Sequence, residues 1–216
     1  LHPDQATLLN VEGTRNIANA ANEVGAHVVH ISTDFIFDGK DGPYKEDAKA
    51  QPLSHYGWTK LEAEDIIKDL PSWSILRTVL VIGIAEDLSR SNIVLWAKGA
   101  LEKGQPINVV DDQFRTPTLA EDLAQGALLA ADQCAQGVFN ISGPDFMSIY
   151  DLVGQVAAYF GLSMESVTRT DSTTLNQPAK RPPRTGFDIS KARKELGYKP
   201  HTFQEALEII ANQAGL

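Results

Sequence analysis

The sequence has few of the features that mark secreted, membrane or nucleic-acid-binding proteins. Its single cysteine, Cys134, cannot form a disulfide within the chain, which favours a reducing compartment such as the cytoplasm. No apolar run approaches the roughly 20 residues of a membrane span. Lysine and arginine total 19 against 28 aspartates and glutamates, which argues against nucleic acid as a partner because a phosphate backbone needs a basic face. A small phosphorylated ligand needs only a few arginines and remains compatible with this charge.

Metal and dinucleotide fingerprints are also missing from the sequence. His27 and His30 are three residues apart in a predicted strand, so they face opposite sides of it and cannot share a metal ion. Gly39 and Gly42 lie between a strand and a helix, but they lack the strand–turn–helix context of a glycine-rich phosphate loop. The sequence therefore predicts no metal site, and the chain contains no recognisable diphosphate-binding loop.

Apolar spacing in the first 83 residues predicts alternating helices and strands. Helices are predicted over 4–24 and 55–70, and strands over 27–32 and 73–82. This order is typical of a parallel α/β sheet, in which ligands bind at the carboxyl ends of the strands. The long polar loop 33–54 leaves such an end.

The pattern changes after residue 83, where a second lobe is predicted. Its helices are predicted at 91–103, 119–132, 147–160, 189–196 and 203–213, and its strands at 106–110 and 137–142. We interpret 1–83 as part of a doubly wound sheet and 84–216 as a substrate-binding lobe, with 106–142 returning in part to the sheet. The proline-rich stretch 171–188 is predicted to be an ordered loop or a lid.

Tyr56 and Lys60 are four residues apart on a predicted helix and therefore share one face. A free tyrosine has a pKa of about 10, and a nearby ammonium group lowers it towards neutrality. Thr33 follows the preceding strand, where its hydroxyl can hydrogen-bond a carbonyl. Together the three side chains suit protonation of a carbonyl oxygen while hydride reaches the carbon. The plain alternative is one packed ring and one solvated amine. The long loop, the strand ending in Ser-Thr and the lack of a second such Tyr/Lys pair favour catalysis.

Several stretches resemble the extended short-chain dehydrogenases/reductases, and within them the dTDP-4-dehydrorhamnose reductase group of sugar-nucleotide-binding proteins. The resemblance covers essentially the whole chain, and its second and third stretches are the most specific. The stretches are NVEGT at 10–14, ISTDFIFDG at 31–39, PLSHYGWTKLEAE at 52–64, ILRT at 75–78, DQFRTPT at 112–118 and KRPP at 180–183. The resemblance implies an α/β fold with a partial Rossmann-like doubly wound parallel sheet and a smaller C-terminal α+β substrate lobe.

The resemblance also implies roles for individual residues. Thr33 matches the catalytic hydroxyl, Tyr56 the proton donor, and Lys60 the residue that lowers the tyrosine pKa and holds the nicotinamide ribose. Asn10 matches the asparagine near that lysine, although it is equally typical of a helix start or a packing position. The same resemblance implies NADP or NAD as cofactor, bound by Tyr56 and Lys60.

Further side chains are implied to contact the cofactor or a sugar-nucleotide substrate. Ser32 and Thr78 are predicted to contact the cofactor. Four residues are predicted to bind the substrate, and each has a simpler alternative. Asp34 is also typical of a turn and Asn92 of a helix cap, while Arg115 and Arg181 suit a diphosphate but stand beside prolines, where arginines are often solvated. A homodimer is compatible with the resemblance.

The chain departs from the family pattern in two ways. Leu80 and Ile82-Gly83 replace an aromatic residue and a Tyr-Gly pair, and both changes are predicted to face the reacting sugar, so the identity of that sugar stays open. The glycine-rich loop is absent, and the chain begins at Leu1 within a helical pattern. We therefore expect a larger protein with two more βαβ units, roughly 70 residues, in front. Those units would hold half of the cofactor site and would decide between NAD and NADP.

The sequence thus predicts NAD(P)H-dependent reduction of a 4-keto-deoxysugar nucleotide by the intact protein. One alternative is a non-catalytic regulatory subunit like the β-subunit of methionine adenosyltransferase, which resembles the same family. Another is an epimerase or dehydratase. The pair Asp34-Phe35 disfavours a dehydratase, because those enzymes usually carry Asp-Glu after the catalytic hydroxyl.

Overall fold

A computed structural model of the chain describes residues 2–84, 92–175 and 179–216. Leu1, the first residue of the helix predicted at 91–103, and 176–178 of the predicted loop lie outside the described residues. The helices are α1 (Pro3–Thr7), α2 (Gly13–Val24), α3 (His55–Lys68), α4 (Ile93–Glu102), α5 (Ala120–Asp132), α6 (Ile149–Phe160), α7 (Ser190–Glu195) and α8 (Phe203–Ala214). The strands are β1 (Val28–Thr33), β2 (Trp73–Thr78), β3 (Val81–Ile82), β4 (Ile107–Val110), β5 (Phe114–Arg115), β6 (Thr118–Leu119), β7 (Gly137–Asn140), β8 (Met147–Ser148) and β9 (Val167–Thr170).

The central sheet is parallel and has the strand order β1-β2-β7. The pairing of β1 with β2 brings Thr33 opposite Thr78, so the carboxyl ends of these two strands lie side by side. Helix α3 packs on β1 and β2, and Ile67 and Ile75 are buried between them. The α/β fold class with a parallel sheet is therefore confirmed. Strand β7 pairs with β2, while the division of the chain into two lobes near residue 83 stays a prediction.

A second core forms among α4, α6 and α8. Its buried side chains are large and aliphatic or aromatic, and they include Val94, Leu101, Val109, Leu152, Val156, Phe203, Leu207 and Ile210. Strand β4 pairs with β9 in parallel beside this core. The sequence did not predict β9, because three of its four side chains are polar and its burial does not alternate cleanly.

The single strand predicted over 73–82 is broken in the structure. Strand β2 ends at Thr78, and Leu80 adopts a positive φ of 42° before β3 begins. Strand β3 then pairs with β6 instead of continuing the central sheet. The apolar run shows no break because Leu80 packs both against the second core and against a separate buried cluster that contains Leu76 and Phe139. In the same way, the helix predicted over 4–24 contains a π-helical segment, Leu8–Glu12, between α1 and α2.

Residues 179–188, here called the strap, join the loop after β1 to the second lobe. The Phe114 amide donates to the Pro183 carbonyl (2.6 Å), and the Tyr44 amide donates to the Gly186 carbonyl (2.8 Å). Gly42 explains how close the strap comes, since a Cβ there would lie 2.3 Å from the Arg184 carbonyl oxygen. This described part of the predicted loop is therefore ordered, and the glycine serves backbone packing.

No helix within the described residues is both long enough and apolar enough to cross a membrane.

Candidate functional site

A cleft of about 480 Å³ opens at the carboxyl ends of β1 and β2. Thr33, Asp34 and Tyr56 line one side, and apolar side chains from α4, β4 and α6 line much of the other. This size falls in the usual range for a site that binds a small ligand. Among the residues predicted for the site, Arg115 and Arg181 also line the cleft.

Thr33 is held by the tight turn that follows β1. Its hydroxyl accepts a hydrogen bond from the Phe35 amide (3.3 Å) and donates one to Asp34 Oδ1 (3.2 Å). The residue is 8% exposed, so the hydroxyl belongs to the wall of the cleft. Thr33 therefore has the position predicted for a side chain that orients a carbonyl.

Tyr56 stands in the first turn of α3, which begins where the Ser54 hydroxyl accepts from the Gly57 amide (3.2 Å). Its side chain is 44% exposed, and its ring meets that of Phe35 edge to face with 6.0 Å between the centroids. Burial raises the pKa of Tyr56, the neighbouring Thr33 side chain lowers that pKa, and the charge of Asp34 raises it. Tyr56 is therefore protonated near neutral pH, as a proton donor must be.

Lys60 contacts the backbone and a histidine side chain of β1. Its ammonium group donates to the Ile31 carbonyl (2.7 Å) and lies 3.4 Å from His30 Nε2. Burial lowers the pKa of Lys60, and burial together with the Lys60 charge lowers the pKa of His30 to about 4. His30 is thus neutral and can accept from Lys60. The electrostatic role of Lys60 towards Tyr56 stays a prediction.

Asn10 lies in the π-helical segment Leu8–Glu12 and contacts helix α3. Its Nδ2 donates to Thr59 Oγ1 (3.0 Å), and that hydroxyl donates to the Tyr56 carbonyl (2.9 Å). Single π-helical turns within α-helices are frequent at functional sites. Asn10 is therefore linked to α3 one residue before Lys60, while its catalytic role stays a prediction.

Ser32 and Thr78 point their hydroxyls into the protein. Ser32 is 2% exposed and donates to Glu64 Oε1 (2.6 Å). Thr78 donates to Thr118 Oγ1 (3.2 Å). Neither hydroxyl lines the cleft, so their proposed cofactor contacts receive no support from these hydrogen bonds.

Asp34 and Arg115 form a buried ion pair, in which Arg115 Nε lies 3.7 Å from Asp34 Oδ2. Asp34 also accepts from the Thr185 hydroxyl of the strap. Burial raises the pKa of Asp34, and the charge of Arg115 opposes that rise. Arg115 donates to the carbonyls of Pro182 (2.8 Å) and Pro183 (3.1 Å). Much of the guanidinium is thus engaged in attaching the strap to the turn after Thr33, which favours a positioning role over a diphosphate contact.

Arg181 and Asn92 differ in their relation to the cleft. Arg181 is exposed and lines the cleft, and in the described part of the chain no hydrogen bond or ion pair engages its guanidinium. Asn92 Oδ1 accepts from the amides of Val94 (2.9 Å) and Leu95 (3.2 Å), so it caps α4. Asn92 is not among the residues lining the cleft, which favours the cap that was its alternative.

The two departures from the family pattern, at Leu80 and at Ile82, lie in different surroundings in the structure. Leu80 lines the cleft, as predicted. Ile82 is 1% exposed and packs in the second core, so the prediction that it faces the sugar is wrong. In a continuous strand Leu80 and Ile82 would face the same side, because strand residues alternate between faces. The break in the strand at Leu80 removes this relation, so the two side chains point to different surroundings.

Sequence reasoning missed Trp96, a large aromatic side chain on α4 that lines the cleft and is 43% exposed. The neighbouring Ala97 is fully buried in the second core, so Trp96 lies beside the buried stripe of α4. In the sequence, the available signal was a tryptophan among the apolar residues of the predicted helix. Gln113 also lines the cleft, within the stretch at 112–118 that the family resemblance had marked.

The residues present fit one end of a nicotinamide dinucleotide. Tyr56 lines the cleft, and Lys60 follows one turn later on α3, so this helix supplies a hydroxyl and an ammonium group, both of which can hydrogen-bond a ribose diol. The diphosphate would require a glycine-rich turn at a helix start, and the sequence contains none. The donor set therefore fits the nicotinamide end only.

Comparisons with known proteins agree with this geometry. The family model described as the RmlD substrate binding domain matches residues 1–215. Methionine adenosyltransferase 2 subunit beta from Bos taurus is 32% identical over 197 residues, 88% of this chain and 58% of that protein. A dTDP-4-dehydrorhamnose reductase from Clostridium acetobutylicum is 30% identical with a TM-score of 0.91, covering 99% of this chain and 75% of that structure. The dTDP-4-dehydrorhamnose reductase from Bacillus anthracis in complex with NADP is 25% identical with a TM-score of 0.89, covering 98% of this chain and 74% of that structure.

The chain spans 58% of the length of the Bos taurus relative, so the comparison covers only part of that protein. The match at 1–215 nevertheless covers nearly every residue of this chain. It agrees with the parallel sheet, and the Thr33 and Tyr56 side chains meet in the expected cleft. The chain therefore belongs to the RmlD substrate binding domain family.

Proposed function

We propose that the complete protein reduces the keto group of a 4-keto-deoxysugar nucleotide with NADPH or NADH. One observation carries the proposal: Thr33, Tyr56 and the exposed Arg181 line a single cleft at the carboxyl end of the parallel sheet. A hydroxyl pair beside a cationic group suits a substrate with a carbonyl at one end and phosphates at the other. The similarity to two dTDP-4-dehydrorhamnose reductases supports the same chemistry.

Each residue has a defined part in this reaction. The Thr33 hydroxyl orients the carbonyl oxygen, and Tyr56 donates its proton to that oxygen as the alcohol forms. A nicotinamide dinucleotide, when bound, supplies the hydride. Lys60 would hold the ribose of that group, and its positive charge would favour the tyrosinate that forms. Arg181 binds the diphosphate, and Leu80 faces the sugar.

The test uses the full-length protein with reduced nicotinamide and a series of 4-keto-deoxysugar nucleotides. We expect loss of the reduced-nicotinamide absorbance together with one equivalent of the 4-hydroxy sugar nucleotide. Turnover of a sugar nucleotide without net nicotinamide consumption would instead indicate an epimerase. The absence of turnover with every keto sugar would contradict the reductase proposal.

Arg181→Ala is expected to raise the KM for the sugar nucleotide by about 10- to 100-fold while kcat changes little, because one charge-assisted contact to phosphate is worth about 1.5–3 kcal/mol. The adjacent Lys180→Ala removes the same charge from an exposed residue that does not line the cleft. Steady-state kinetics should therefore leave Lys180→Ala near wild type. Equal KM changes in both variants would show a general electrostatic effect of the strap and would contradict a direct contact.

The second candidate is a non-catalytic regulatory subunit. Its support is the 32% identity to methionine adenosyltransferase 2 subunit beta over 88% of this chain. This candidate predicts that the full-length protein binds a methionine adenosyltransferase and changes its activity. Measured binding of that enzyme, together with no turnover of any keto sugar, would favour this candidate.

A further inference from the structure

A fully buried carboxylate lies behind the catalytic residues. Glu64 belongs to α3, one helical turn beyond Lys60, and is 0% exposed. Arg77 of β2 donates from Nε to Glu64 Oε1 (3.0 Å) and from Nη2 to Glu64 Oε2 (2.7 Å). This two-bond geometry orients both side chains as well as pairing their charges.

The Glu64 carboxylate also accepts a hydrogen bond from the end of β1. Ser32 donates to Glu64 Oε1 (2.6 Å), and Ser32 immediately precedes Thr33. Ser32 and Arg77 are partners in the β1–β2 register. One carboxylate on the helix of Tyr56 is thus bonded to β1 and β2 one residue before each strand ends.

Arg77 extends the network to the loop after β1. Its Nη1 donates to the Glu46 carbonyl (2.9 Å), and its guanidinium lies 5.4 Å from the centre of the Phe37 ring. Much of the guanidinium is thereby engaged. The pair consequently connects α3, β1, β2 and the loop that leads away from Thr33.

Stability alone does not account for this pair. Burying two charges costs free energy, and apolar side chains of similar size are often as stabilising or more so. Burial raises the pKa of Glu64, but hydrogen bonds from Arg77 and Ser32 and the charges of Arg77 and Lys68 lower it by more. The pKa of Glu64 is therefore below its usual value, and the carboxylate is ionised at neutral pH. What the ion pair adds over an apolar pair is direction, because each hydrogen bond specifies where its partner lies.

We propose that Glu64 and Arg77 are positioning residues that hold the Thr33 end of β1 in register with Tyr56 on α3. Neither residue lines the cleft, so each acts through Ser32, the strand ends and the helix. The expected effect of this pair on turnover rests on the proposed reductase function. Its expected effect on the position of Thr33 relative to Tyr56 is independent of that function.

Two variants of the full-length protein separate positioning from stability. Glu64→Gln leaves Arg77 unpaired, while the double variant Glu64→Leu/Arg77→Met replaces both charges with apolar groups. We expect kcat to fall about tenfold in both, with KM within about twofold, because misplaced catalytic groups slow the chemical step. We expect the Tm to drop in Glu64→Gln and to recover in the double variant. Glu102→Gln, which removes the 47% exposed carboxylate that pairs with Lys98 on α4, is the matched control and should behave as wild type. A double variant that is folded and has the wild-type kcat would overturn the proposal.

A second measurement does not require turnover. Absorbance titration, with Tyr56→Phe subtracted, reports the ionisation of Tyr56 alone. Thr33 and Tyr56 line one cleft, and the Thr33 side chain lowers the pKa of Tyr56, so displacement of Thr33 is expected to raise that pKa in the double variant. An unchanged Tyr56 titration in the double variant would overturn the proposal. A raised pKa in a protein that turns over no keto sugar would leave positioning intact and refute the reductase function.

Discussion

Replacing Tyr56 by phenylalanine in the complete protein is expected to lower kcat by about 10²- to 10⁴-fold, the usual contribution of a positioned proton donor. The ring would remain in its edge-to-face contact with Phe35, so the fold should be unaffected. The lost hydroxyl belongs to a side chain that lines the cleft together with Thr33. Single-turnover measurements of reduced-nicotinamide oxidation, with binding of the nicotinamide measured separately, test this expectation.

The control for this variant is Tyr159→Phe, on α6. Tyr159 is 39% exposed and stacks edge to face on Phe160, outside the cleft. Loss of its hydroxyl should leave kcat and Tm unchanged. If Tyr56→Phe retained the wild-type kcat on a verified substrate, Tyr56 would not be the proton donor.

The pH dependence of kcat follows from the direction of the Tyr56 pKa shift. A general acid works only while it is protonated, and burial raises the pKa of Tyr56. The acid form therefore persists to higher pH than in an ordinary tyrosine, and kcat should fall only on the alkaline side as pH rises through that pKa. A kcat profile for the wild type that lacks an alkaline fall would argue against proton donation by Tyr56.

Gly57→Ala is the second change with a large expected effect. Gly57 follows Tyr56 in α3, and a Cβ there would lie 2.2 Å from the Phe35 carbonyl oxygen and 3.0 Å from Pro52 Cβ. The Phe35 backbone belongs to the turn after Thr33, so α3 would have to move away from that turn. Overpacking of this kind costs about 1–3 kcal/mol. A displacement on the order of 1 Å between Tyr56 and Thr33 is expected to lower kcat about 100-fold.

The matched control is Gly154→Ala in the middle of α6. A Cβ at Gly154 would meet nothing within 4 Å, so the same substitution adds no clash there. Alanine in a helix interior should instead stabilise the protein by roughly 0.5–1 kcal/mol. Denaturant unfolding and steady-state kinetics on both variants test the contrast. Equal behaviour of the two variants would show that the close approach of α3 to the turn does not matter.

Local patterns in the sequence predicted the helices and the longer strands. The spacing of apolar residues found α3 and α5 within one or two residues, since each buries one face over several turns. The same local logic placed Thr33 at the end of β1 and Tyr56 at the start of α3. The parallel order of these elements then brought both side chains to one edge of the sheet.

The shortest strands had no local signal. Strands β5, β6 and β8 each contain two residues, too few to show an alternating pattern. Their pairing depends on segments far away in the chain, as β5 pairs with β8. Leu80 illustrates the same limit, because an apolar run buried on both sides looks continuous even where the chain turns.

The sequence by itself determined the fold class and the family, and it predicted that Thr33 and Tyr56 share one edge of the sheet, because these depend on spacing within single elements and on short motifs. Only the tertiary structure decided how the polar side chains of the site are engaged. Asp34 meets Thr185, which is 151 residues away in the chain, and Arg115 meets the strap. Glu64 joins Ser32 to Arg77. Sequence spacing carries no record of such partners, because hydrogen bonds between distant segments exist only once the chain has folded.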